Sequence, residues 1–146
     1  MLRPVFLFCA LSLMTGLVWA QYRIEVFSTA RYMVNGTDAL AAQGLAVEIW
    51  HLDAPETLED ELSVGLSADP QQAEREARAY LELLGEDELR ARVARAYRAE
   101  LRARELGIDR YPAVIFDGQF VVYGLTDLPA ALAHYRRWQQ SAGAGP

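Results

Sequence analysis

The chain has 146 residues, with 14 basic against 20 acidic side chains and a formal net charge of −6. There is no basic excess to displace counterions from a phosphate backbone, so nucleic acid is not expected as a direct partner. The only cysteine is Cys9, which lies inside the apolar amino-terminal run and leaves residues 21–146 without a thiol.

Arg3, the apolar stretch from Val5 to Leu17 and the Val18-Trp19-Ala20 ending have the pattern of a secretory signal peptide cut after Ala20. The apolar run is too short to span a bilayer comfortably. The expected mature protein starts at Gln21, resides in the periplasm and has no stable membrane span. At 126 residues it can bury a core without disulfides.

Tyr22 to Phe27 alternates and is rich in β-prone residues, which predicts a first strand with Ile24 and Val26 on one face. Asn35-Gly36 marks a turn, and Thr37 or Asp38 is the expected cap of a short helix through Gln43. Leu45 to Leu52 reads as a second strand. Acidic residues 53–66 predict a short surface helix with Pro55 near its start, and Asp69-Pro70 opens a further helix that ends at Gly85.

From Gly85 to Leu106 the spacing predicts one long helix whose packing stripe is Leu89, Val93, Tyr97 and Leu101. Its outer face carries Glu86 to Arg90, Glu88 to Arg92 and Glu100 to Arg104, three i to i+4 pairs of favourable polarity. Gly107 closes it. Ala113–Phe116, a two-residue Asp117-Gly118 turn and Gln119–Tyr123 predict a β-hairpin. A last helix begins near Thr126 or Asp127 and docks through Leu128, Leu132, Tyr135 and Trp138, and residues 141–146 are expected to be a disordered tail.

Without repeats or interior linkers, residues 21–140 form one expected domain. The order of strand, helix, strand, helical insert, hairpin and helix predicts an α/β, thioredoxin-like fold, with a central mixed sheet of about four strands and flanking helices.

In a redox-active thioredoxin fold the nucleophilic thiol follows the first strand. The stretch in that place, Ser28 to Asn35, has no cysteine, so disulfide exchange is excluded for residues 21–146. Ser28 or Thr29 as a hydrolytic nucleophile would need a base. The two histidines, His51 and His134, fall at the end of the second strand and in the last helix, and no Gly-x-Ser-x-Gly elbow is present. His51 with Asp53 lacks further ligands for a metal, and the acidic run around Glu59 lacks the spacing of a calcium loop. No metal or cofactor is expected. Tyr111-Pro112, an X-Pro step at a strand entry, is the expected place of a cis bond facing the Ser28–Tyr32 loop. The candidate binding surface is therefore Ser28, Thr29, Arg31, Tyr32, Tyr111 and Pro112, where an extended peptide could pair with the backbone before the proline.

Several blocks carry a family resemblance: Ile24-Glu25-Val26-Phe27, Leu62-Ser63-x-Gly65-Leu66-x-x-Asp69-Pro70, Gly107-Ile108, Tyr111-Pro112-Ala113-Val114-Ile115-Phe116-Asp117-Gly118 and Val121-Val122-Tyr123-Gly124-Leu125-Thr126-Asp127. Together they resemble the thioredoxin-like proteins of integrating conjugative elements, which are encoded beside type IV secretion genes. The resemblance implies a periplasmic accessory or scaffold protein acting with protein partners of the conjugative DNA-transfer apparatus. It supplies no catalytic residues. A periplasmic chaperone or an isomerase-like enzyme of the same fold is the alternative.

Overall fold

A computed structural model describes residues 22–143. The expected signal peptide and its cleavage after Ala20 lie outside them. Strands β1 (Ile24–Ser28), β2 (Val47–His51), β3 (Ala113–Phe116) and β4 (Phe120–Tyr123) form one mixed sheet in the order β2-β1-β3-β4. β1 is parallel to β2 and antiparallel to β3, and β3 is antiparallel to β4. This is the mixed α/β architecture expected, and it is compatible with a thioredoxin-like fold.

All five residues of β1 are buried, as a central strand covered on both faces requires. Successive side chains of a strand point to opposite faces. Ile24 and Val26, with Val114 and Phe116 of β3, face Leu40 of helix α1 (Thr37–Ala41) and Leu128, Ala131, Leu132 and Tyr135 of helix α6 (Leu128–Gly143). Phe27, Ala113 and Ile115 face the other way and meet Ala103.

The segment between β2 and β3 holds α2 (Ala54–Ser63), α3 (Pro70–Leu84), α4 (Glu86–Ala96) and α5 (Arg98–Glu105). Here the expectation of one long helix with a buried Leu89-Val93-Tyr97-Leu101 stripe is corrected. The helix divides at Tyr97, and the buried residues are Ala96, Ala99 and Ala103, while Val93, Tyr97 and Leu101 are 40%, 41% and 56% exposed. Ala103 of α5 packs on Phe27, Ala113 and Ile115 of the sheet, so small side chains are the buried ones here and the bulky ones lie outward. The three expected i to i+4 ion pairs do form. α3 packs beside α4 and contains no buried residue.

Several boundaries also differ from expectation. No side chain caps α1; Gly36 holds that position at φ 85. A Cβ there would strike the Pro129 ring, with Cγ at 2.9 Å, so the close approach of α1 to α6 demands glycine. In the hairpin, Asp117 and Gly118 have the positive φ values (53° and 67°) a type I′ turn needs, and Gln119 N donates to Phe116 O. The ladder nevertheless pairs Phe116 with Phe120, so the loop has three residues rather than two. α6 continues through Gly143, so residues 141–143 of the expected tail are helical and 144–146 lie outside the described residues.

Candidate functional site

The loop after β1 is a fastened turn. The buried Ser28 donates its hydroxyl to Tyr32 O at 2.6 Å, Tyr32 N donates to Thr29 O, and Ala30 N donates to Asp53 Oδ2 at 2.6 Å. Asp53 stands at the N-cap position of α2 but does not cap it, because its carboxylate reaches back to this loop. α1 begins only at Thr37, so its amino terminus does not follow directly on Ser28 and Thr29.

Opposite the loop, the Tyr111-Pro112 bond is cis, as expected. Pro112 is buried and its carbonyl accepts from Gly124 N at 2.8 Å. Tyr111 is exposed, and its ring meets that of Tyr32 edge-on, with centroids 6.2 Å apart. The guanidinium of the exposed Arg31 lies 5.9 Å from the Tyr32 ring centroid. Among the described residues, the Tyr111 backbone N–H and C=O take part in no backbone hydrogen bond.

A cleft of about 570 Å³ runs beside this pair, lined by Thr29, Arg31, Asp53, Glu100, Arg104 and Tyr111 among others. Of the six residues expected to form the binding surface, Arg31 and Tyr111 are exposed, Thr29 and Tyr32 are half-buried, and Ser28 and Pro112 are buried supports. The structure thus brings the loop and the X-Pro step together, but only four side chains offer a surface. Sequence reasoning missed Asp53 as the clasp of the loop and Glu100 and Arg104 as cleft walls. An aspartate just before Ala54-Pro55 reads as a helix cap, which hides its other partner.

Ser28 and His51 are register partners on the parallel strands, yet the Ser28 hydroxyl is committed to a backbone carbonyl. His134 instead has its Nδ1 3.1 Å from Arg137. Among the described residues, no three His, Cys, Asp or Glu side chains converge as a metal ion would require. A second cleft of about 700 Å³ on the far side of Asp53 includes His51, Arg92 and Arg95, but both arginines are engaged by Glu88.

Under the sheet, Glu25 is the buried charge that the sequence does not announce. Its carboxylate accepts from Arg102 Nε at 2.7 Å and Nη2 at 2.9 Å and from Trp50 Nε1 at 3.3 Å, with Arg23 Nε 3.4 Å away. The bonds to Arg102 hold its pKa below the ordinary 4.5, although burial pushes the other way. Arg102 also donates to Glu105 at 3.0 Å, and these bonds raise its own pKa. The clasp ties α5, and with it one wall of the cleft, to the central strand.

Among the described residues no helix is long and apolar enough to cross a membrane. No curated protein and no solved structure matches the chain. Residues 21–141 match the family described as a protein of unknown function (DUF1525), and the chain belongs to that family.

Proposed function

We propose that this protein is a non-catalytic periplasmic accessory or scaffold of an integrating conjugative element, and that it binds a protein of the type IV secretion apparatus through the Tyr32–Tyr111 surface. The observation that carries the reading is the pair of exposed Tyr111 and half-buried Tyr32 beside a Tyr111 backbone that makes no backbone hydrogen bond among the described residues. An extended segment of a partner can pair with that backbone and lay side chains into the adjoining cleft. Exposed tyrosine and arginine are the residue types that anchor protein interfaces.

The non-catalytic part rests on chemistry. Residues 21–146 hold no thiol for a mixed disulfide. The one serine placed where a nucleophile would sit donates its hydroxyl to the Tyr32 carbonyl rather than to its register partner His51. The conjugative context rests on the resemblance of the sequence blocks, of which Tyr111 to Gly118 with Val121 to Asp127 is the most specific.

Site-specific photo-crosslinking tests the reading. A crosslinker at position 32 or 111 in a mating donor should capture a protein of the transfer apparatus, while one at the exposed Ala42 should not. Equal labelling from all three positions, or none from 32 and 111, would refute it.

A further inference from the structure

The outward stripe on α4 and α5 has the form of a self-complementary interface. Tyr97 N donates to Val93 O and Leu101 N to Tyr97 O, each at 3.1 Å, so the helical course persists across the division at Tyr97. Leu89, Val93, Tyr97 and Leu101 therefore line up in successive turns. About the midpoint at Arg95, Val93 mirrors Tyr97, Leu89 mirrors Leu101 and Glu86 mirrors Arg104.

From this we propose that the α4–α5 face joins two copies of the chain in an antiparallel, two-fold dimer. A two-fold axis perpendicular to the helices sets each position against its mirror. Val93 then meets the second copy's Tyr97, and Leu101 enters the second copy's apolar groove between α3 and α4, where Ala77, Leu81 and Leu89 form part of the lining. At each end Glu86 faces Arg104. Both side chains are well exposed; Glu86 also pairs with Arg90 of its own helix, while Arg104 reaches its intrachain partner Glu100 only at 4.0 Å. A parallel pairing would set like charges together, so the charge pattern selects the antiparallel arrangement.

A seam from Glu86 to Arg104 is roughly 27 Å long and falls toward the small end of specific interfaces, so the dimer should dissociate reversibly at micromolar concentrations. Sedimentation velocity over a concentration series of the purified protein tests this. Wild type should shift from monomer to dimer, Leu101→Glu should remain monomeric, and Glu86→Arg and Arg104→Glu should each weaken association about tenfold or more. Mixing those two charge variants should restore the dimer, since the heterodimer recovers both end pairs; circular dichroism checks that each variant is folded. A wild type that stays monomeric, a Leu101→Glu protein that still dimerises, or a mixture no tighter than its components would overturn the proposal.

Discussion

Arg102 donates from Nε and Nη2 to the two carboxylate oxygens of Glu25, a side chain only 1% exposed on the central strand, across a separation of 77 residues. Bidentate pairing satisfies both carboxylate oxygens and makes burial of the charge tolerable. Removing one partner has unequal consequences. Arg102→Ala leaves the buried Glu25 carboxylate with only Trp50 and the exposed Arg23 beside it, which costs up to about 3–5 kcal/mol, whereas Glu25→Leu leaves a guanidinium that still reaches Glu105 and solvent. Urea unfolding should place the Arg102→Ala midpoint well below that of Glu25→Leu; the reverse order would show that the clasp is not the controlling contact.

The same pair sets an acid limit. A carboxylate whose folded pKa is depressed contributes stability that is present above its unfolded value, here 4.5, and is lost as pH falls through the folded value. Wild type should therefore lose stability as pH drops below 4.5, and Glu25→Gln should show a shallower slope over that window. In Arg102→Ala only Arg23 and the Trp50 donor still oppose burial, so the loss of stability as pH falls should be shallower than in wild type. Unfolding free energies measured between pH 3 and 7 (about the range a folded baseline allows) distinguish these slopes.

On the other face of the sheet, Tyr135 donates to Asp117 Oδ2 at 2.6 Å, and burial with that bond pushes its pKa from 10.0 up to about 12. A raised pKa contributes stability that is complete below pH 10 and is lost as pH rises through 12. Tyr135→Phe should cost roughly 1–3 kcal/mol at neutral pH, since the bond is to a carboxylate. It should also flatten the alkaline loss, which thermal unfolding at a series of alkaline pH values would reveal.

Gly36 should be the least replaceable of two positive-φ glycines flanking α1. Gly36→Ala incurs both the backbone strain at φ 85 and a collision with the Pro129 ring, for a cost of about 2–3 kcal/mol or more. Gly44→Ala, at φ 75 with nothing within 4 Å of a new Cβ, should cost only the strain, about 1–2 kcal/mol. Equal midpoints for the two variants would mean that α1 can move off α6.

The strands, the hairpin and the α6 docking face were legible because their apolar residues follow the period of their elements and pack locally. Ile24, Val26, Leu128, Leu132 and Tyr135 are core residues for that reason. The insert differs from expectation because hydrophobicity alone ranks leucine, valine and tyrosine above alanine, while the residues the fold buries there are Ala96, Ala99 and Ala103. Glu25 was invisible as a core residue because the group that satisfies it lies on a helix far away in sequence. At the candidate site, the residue types and the X-Pro step could be read from the chain. The commitment of the Ser28 hydroxyl to Tyr32 O and the reach of Asp53 to Ala30 could not, because they depend on the path of the loop.

The most direct measurement is conjugation frequency from a donor carrying Arg31→Ala with Tyr32→Ala, alongside circular dichroism of the purified variant. Arg31 is exposed and Tyr32 half-buried at the loop's edge, so the fold should persist. Loss of an aromatic and an arginine anchor costs about 2 kcal/mol or more of partner binding, so transfer should fall about tenfold or more. A folded double variant that supports transfer at the wild-type frequency would contradict a partner-binding role for the Tyr32–Tyr111 surface.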